Sequence, residues 1–134
     1  MLTIAVALIL SLPEMSAIED AVWAVESSRC QSDCEKGDSQ NARGPLQIWH
    51  GAWSDCKRGD ETYEMCESLE YSLTIFRRYC DRYLTLKRLG RVATDEDRAK
   101  LWNGGPNFFR TKSKKKLANL ERYWQKVRRV LNDK

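Results

Sequence analysis

The 134-residue sequence has a single histidine, His50, and no Cys-x-x-Cys pair. A tetrahedral zinc site draws on those residue types at close spacing, so no metal site and no cofactor is expected. No internal repeat and no sustained heptad occur, which leaves no basis for a solenoid or a coiled coil. No shift in composition divides the chain, and its length fits one domain. The apolar run at residues 2–12 is too short to span a bilayer, so no stable membrane insertion is expected. It has the length of a signal-peptide core. Pro13 breaks it, and the small residues Ser16 and Ala17 offer a cleavage zone. The run lacks a preceding lysine or arginine, so only the chain's amino group supplies positive charge there. The expectation is a secreted protein, with a signal peptide over 1–17 and one domain over 18–134.

Five cysteines are present, Cys30, Cys34, Cys56, Cys66 and Cys80. They point to an oxidising compartment, and their odd number leaves one thiol over or pairs it between chains. Charge is divided along the chain. Residues 18–70 carry five basic and twelve acidic side chains, a net of −7, whereas residues 71–134 carry eighteen basic and six acidic ones, a net of +12. A basic half suits an anionic partner such as a bacterial wall or a nucleic acid. No nucleic-acid-binding motif accompanies the basic residues, so nucleic acid is not the expected partner.

The periodicity is helical. Ser16 and Glu19 have capping-box spacing at the head of a helix over 16–28, with Ile18, Ala21, Val22 and Val25 at helical intervals. Residues 30–43 are polar and read as loop or hairpin. Residues 46–49 read as a short strand, or as an extended entry into a brief helix ending near Trp53. The longest signal covers 62–86, where Leu69, Leu73, Phe76, Cys80 and Tyr83 make one stripe. Gly90 ends that segment. Thr94 and Asp97 cap a helix to about Trp102, and Asn103-Gly104-Gly105-Pro106 reads as a sharp turn. Residues 110–116 read as a basic loop. A last helix spans 117–131, with Leu117, Leu120, Trp124, Val127 and Leu131 on one face. The expected fold is mainly α, with at most a small β-hairpin near 38–48.

Two acids are placed for chemistry. Glu26 closes the first helix beside Trp23 and Val25, and burial there favours its protonated form. Asp38 follows in a polar stretch with Ser39, Gln40 and Asn41, which suits an ionised carboxylate. Glycoside hydrolysis commonly uses two carboxyl groups in such unequal environments, one to protonate the leaving oxygen and one to attack or stabilise the sugar carbon.

The surrounding residues sharpen this reading. Glu26-Ser27 at a helix end, followed by Gly44-Pro45-Leu46-Gln47-Ile48, resembles the lysozyme-like superfamily. Trp53-Ser54-Asp55-Cys56, Cys66, Arg78-Tyr79 with Tyr83, Asn103-Gly104-Gly105-Pro106, and Tyr123-Trp124 with Val127 narrow the resemblance to the invertebrate-type, destabilase-like lysozymes. It runs from about residue 18 to 130. The resemblance implies an α+β lysozyme-like fold with an orthogonal arrangement of helices. It also implies muramidase activity on the β-1,4 link between N-acetylmuramic acid and N-acetylglucosamine. Glu26 matches the family's acid, which turns base in the second step, and Asp38 matches its second carboxylate. A carboxyl separation of roughly 5–5.5 Å goes with retention and roughly 6.5–9.5 Å with inversion. Gln47, Asn103 and Gly104 match the walls of the saccharide cleft. The glycine turn lets a sugar approach backbone closely. Trp49, Trp53 and Trp102 flank that cleft as core residues or sugar platforms, and Trp53 is a substrate-binding candidate. His50 suits a surface or loop-stabilising role.

The chain departs from the family in its cysteines. The family usually has a cysteine where this chain has Arg43, which removes the natural partner of Cys34. A Cys30–Cys34 bridge is the expected substitute. A Cys56–Cys66 bridge closes a short loop that the family also closes. Cys80 stands at an apolar position and is expected as a buried free thiol. Trp49 replaces a lysine of members that carry isopeptidase activity, so that activity is not carried over. The partners implied are peptidoglycan or a chitin-like oligosaccharide at the bacterial surface, with the protein a monomer. Two rivals differ in chemistry. A lytic transglycosylase needs no second carboxylate, and a non-enzymatic cationic wall-binding or antimicrobial protein needs neither.

Overall fold

The computed structural model describes residues 11–133. Most of the expected signal peptide therefore lies outside the described residues. Helix α1 (Ala17–Ser27) starts at the expected capping box: Ser16 Oγ accepts from the Glu19 amide, and Glu19 accepts from the Ser16 amide at 2.8 Å. Glu19 is buried and is held from the far side by Arg77 at 2.6 Å. Arg77 also donates to the Glu14 carbonyl at 2.9 Å, tying residues before α1 to the middle of the chain.

A left-handed turn, α2 (Gly37–Gln40), leads into strand β1 (Ala42–Arg43). Strand β2 (Ile48–Trp49) pairs with it antiparallel, Ala42 opposite Trp49 and Arg43 opposite Ile48. The hairpin closes through Gly44–Gln47, where the Gln47 amide donates to the Gly44 carbonyl at 3.0 Å. Gly44 has φ +79°, and a Cβ there would lie 1.8 Å from the Cys66 carbonyl oxygen. The turn therefore tolerates only glycine at this position. The fold is thus mainly helical with one small antiparallel hairpin.

Helix α3 (His50–Cys56) follows directly. The expected helix over 62–86 divides in two. A 3-10 turn (Tyr63–Glu67) comes first, and α4 (Leu69–Tyr83) begins only where the Ser68 hydroxyl accepts from the Tyr71 amide. The break has a long-range cause: the Cys66 carbonyl sits against Gly44 and accepts from Ser72 Oγ at 2.8 Å, so it serves the hairpin. The α4 stripe of Leu69, Leu73, Phe76 and Cys80 is buried as its spacing implied. Glu61 folds the loop before the 3-10 turn over α4. It accepts from Arg78 at 2.6 and 3.1 Å and from Tyr71 at 3.1 Å, and these hydrogen bonds hold its carboxyl down at about 2.

The short α5 (Leu86–Leu89) ends at Gly90. Helix α6 (Asp95–Gly104) carries the Thr94–Asp97 capping box. It runs past Trp102 through Asn103 and Gly104 instead of turning there. Packing decides this: a Cβ on Gly104 would lie 2.4 Å from Leu120 Cδ2, so the bare glycine is a notch that seats the next helix. Helix α7 (Lys114–Asn132) starts earlier than its apolar stripe implied, capped by Ser113. Residues 114–116 are thus its first turn and not loop. Its buried face is Leu120, Tyr123 and Val127, while Leu117 is 47% exposed because the first turn projects beyond the core. Helices α1, α6 and α7 pack on one another, and α4 joins α6 to α3. Val22, Trp23, Leu46, Ile48, Leu73, Ile75 and Leu101 are fully buried between them. Each such side chain contributes about 1.5–3 kcal/mol by leaving water.

Candidate active site

Glu26 lies in the last turn of α1, and that end is fastened to the hairpin. The Ser27 hydroxyl donates to the Pro45 carbonyl at 2.7 Å and accepts from the Cys30 amide at 3.2 Å. Trp23 Nε1 donates to the Cys30 carbonyl at 2.8 Å. Ser28 then leaves the helix in the left-handed region, with φ 54°. The Glu26 carboxyl turns towards α7, where the Tyr123 hydroxyl donates to Oε1 at 2.8 Å. Burial pushes the Glu26 carboxyl up to about 7. The Tyr123 hydrogen bond works against the rise, the negative charge of Asp38 adds to it, and Lys126 opposes it. A carboxyl poised there holds a proton near neutral pH and can still release it.

Asp38 is held differently. It is exposed, at φ 50° and ψ 55°, and its Oδ2 accepts from Trp49 Nε1 at 3.2 Å. Ser39 and Gln40 are also left-handed, a conformation that costs a non-glycine residue roughly 1–2 kcal/mol. One carboxamide offsets that cost. Gln47 Oε1 accepts from the Gly37 amide at 2.8 Å, and its Nε2 donates to the carbonyls of Glu35 at 2.8 Å and Gly44 at 2.9 Å. The chain before this turn is closed by the Cys30–Cys34 disulfide, with a Cα–Cα distance of 5.8 Å.

Between these features and α7 lies a cleft of about 920 Å³. Asp38, Trp49, Asn103, Gly104, Tyr123 and Lys126 are among the residues that line it. Glu26 meets this lining at the Tyr123 hydroxyl. A smaller recess of about 230 Å³ shares Trp49 and Asn103 with the cleft and reaches Trp102, Tyr79 and Gln47.

Of the residues singled out by sequence, Asp38, Asn103 and Gly104 line the cleft, and Glu26 stands directly behind Tyr123. Two others have different roles. Gln47 borders the recess, but its carboxamide is spent on the Asp38 turn. Trp53 is a core residue, not a sugar platform. It is 8% exposed, its Nε1 donates to the Tyr71 hydroxyl at 3.2 Å, and His50 packs edge-on and Tyr63 tilted against it. The tryptophan open to the cleft is Trp49, 49% exposed. Trp102 is half-buried, with its Nε1 on the Leu46 carbonyl at 3.0 Å. Gly104 makes room for Leu120 as well as bordering the cleft.

The cysteines divide otherwise than expected. Cys30 and Cys34 are bridged, whereas Cys56 and Cys66 are both free and buried. Their backbones are anchored to separate parts of α4. The Cys56 carbonyl accepts from Arg78 and the Cys66 carbonyl from Ser72, six residues or ~9 Å apart along the helix. Cys80 is a buried free thiol. Burial pushes the Cys66 and Cys80 thiols up to about 12, which keeps them unreactive.

Tyr123 and Lys126 are the residues that sequence reasoning missed. Counting back four from Val127 and forward three from Leu120 both meet Tyr123, so its inward position was available from periodicity. Its partner was not. No protein-family model matches the chain. Among the described residues, no helix is long and apolar enough to cross a membrane.

Proposed function

We propose that the protein is a secreted lysozyme-like muramidase that hydrolyses the β-1,4 links of bacterial peptidoglycan. The observation that carries this reading is a pair of unequal carboxyl groups at one cleft: Asp38, exposed in its lining beside Trp49, and Glu26, half-buried, bonded to the lining residue Tyr123 and pushed up to about 7. The protonated Glu26 donates its proton to the glycosidic oxygen as the bond from that oxygen to the sugar carbon breaks. Asp38, ionised, takes up the positive charge at that carbon, through space or by a covalent bond. Glu26, now a carboxylate, accepts a proton from the water that attacks the same carbon, and returns to its starting form. Trp49 offers a flat apolar face to a sugar, and Asn103 offers an amide.

The test is digestion of purified peptidoglycan with the wild type, Glu26→Gln and Asp38→Asn, with the released sugars identified by mass. Wild type is expected to release reducing muropeptides, with Glu26→Gln about 10²–10⁴-fold slower. Anhydro-sugar products, with activity kept in Asp38→Asn, would assign the scaffold to a lytic transglycosylase. Bacterial killing that Glu26→Gln leaves intact, with no sugar released by the wild type, would assign a cationic wall-binding role.

A further inference from the structure

The α7 side of the cleft carries a charge pattern that the hydrolytic reading does not use. Lys116, Arg122 and Lys126 of α7 line the cleft together with Arg110. All four are exposed, and Asp38 is the one carboxylate in the same lining. Among the described residues, none of the four has a carboxylate within the 4.0 Å of an ion pair. Several cations elsewhere are paired. Arg29 pairs with Asp20, Arg77 with Glu19, Arg78 with Glu61, Arg91 with Asp97, and Lys100 with both Glu96 and Glu121. Four cations and one carboxylate therefore share the concave site, where a field of one sign is focused.

Local stability does not account for them. Helices α1, α4 and α6 all place acids in their first turn, as the helix dipole favours. Helix α7 has no acid there and instead carries Lys114, Lys115 and Lys116. Those charges oppose the dipole and one another. A neutral sugar chain gains nothing from them.

We infer that the cleft selects glycans bearing negative charges along the strand, as carboxylate or phosphate, and that Lys116 and Arg122 are specificity-determining residues that meet those charges. This rests on the glycan-binding reading of the cleft and names the substrate class within it. Lys116 and Arg122 are six residues apart, ~9 Å along α7, and both line the cleft, so they can meet separate charges of an extended chain. Arg122 is already oriented, since it donates to the Asn119 side chain.

The experiment measures binding to the full-length Glu26→Gln protein, which removes turnover from the readout. The probes are a neutral N-acetylglucosamine hexamer, peptidoglycan fragments with free stem-peptide carboxylates, and the same fragments with those carboxylates amidated. Free-carboxylate fragments are expected to bind at least about tenfold more tightly than the hexamer, with a preference that shrinks as salt rises. Adding Lys116→Gln and Arg122→Gln is expected to remove most of that preference and leave hexamer affinity unchanged, which also shows that the cleft is intact. A parallel arm uses whole walls before and after hydrofluoric acid removes their phosphate-bearing polymers. Loss of preference on amidation identifies carboxylates as the source, and loss on acid stripping identifies phosphates. Equal affinity for the hexamer and the charged fragments, or a preference that survives the double substitution, overturns the inference. The two readings fail separately. Hydrolysis without charge preference leaves the muramidase reading standing, whereas charge-selective binding without hydrolysis by the wild type leaves this one.

Discussion

Asp38 lines the cleft and Glu26 reaches it through the Tyr123 hydroxyl, and the two are held by opposite means. Glu26 sits on a helix whose end is fastened to the hairpin through Ser27 and to Cys30 through Trp23, and its carboxyl has a buried phenol for a partner. Asp38 sits on an exposed left-handed turn held by the side chain of Gln47. The acid therefore takes its properties from burial, which is distributed over many contacts. The second carboxylate takes its position from a few hydrogen bonds, which are concentrated in one residue. The two supports should fail independently.

The sharpest way to separate them is Gln47→Ala. It deletes three hydrogen bonds, two to Glu35 and Gly37 at the Asp38 turn and one to Gly44 of the hairpin, without touching α1 or α7. Hydrolysis of peptidoglycan is expected to fall on the order of 10²-fold, since a displacement of about 1 Å in a reacting group costs that much. Chemical denaturation is expected to show a loss of about 1–3 kcal/mol. The basic limb of the pH–rate profile should stay near its wild-type position. A large shift of that limb would mean that the two supports are one.

The next test isolates the burial of Glu26. Its pKa rises on folding from an ordinary 4.5 to about 7. Below the lower value the group is protonated in both states and folding carries no penalty. As pH rises through this interval the folded state must either keep the proton or bury a charge, so stability is lost and stays lost above about 7. Glu26→Gln keeps an oxygen for the Tyr123 hydroxyl and removes the titration. Thermal melts are expected to show the variant and wild type alike near pH 4, with the variant more stable by on the order of 2–3 kcal/mol at pH 8.

Breaking the disulfide with Cys30→Ser and Cys34→Ser acts on the chain between the end of α1 and the Asp38 turn. The two residues are only four apart, so the loop is short and the expected loss is about 2 kcal/mol or less. The smallest effect is expected from Tyr123→Phe. The hydroxyl stabilises the ionised Glu26, so its removal should move the basic limb of the pH–rate profile upward by about one unit. A downward shift would mean that Tyr123 acts on Glu26 in some other way.

What the sequence made legible follows the range of the interactions. The Ser16–Glu19 and Thr94–Asp97 caps and the Leu69–Cys80 stripe depend on residues three or four apart, and all were read correctly. Glu26, Asp38, Asn103 and Gly104 were picked out through residue order; the last three line the cleft, and Glu26 is bonded to the lining residue Tyr123. Three readings failed on contacts between distant segments. The helix at 62–68 gave way to a 3-10 turn because Cys66 must meet Gly44. The turn at 103–106 moved because Leu120 fills the notch at Gly104. Trp53 went to the core because Tyr71 and Tyr63 enclose it. The Tyr123–Glu26 hydrogen bond joins residues ninety-seven apart, beyond any local pattern.

The notch at Gly104 also sets the rotational phase of α7. Leu120 seated in it fixes which way every later residue points, at about 100° per position. Tyr123, which tunes the acid, and Arg122 and Lys126, which charge the cleft lining, are therefore set by a single angle. One residue inserted between Leu120 and Arg122 would swing all three out of the cleft together. Drift at this helix would then cost acidity and charge selection in one step, so selection on either property would preserve both.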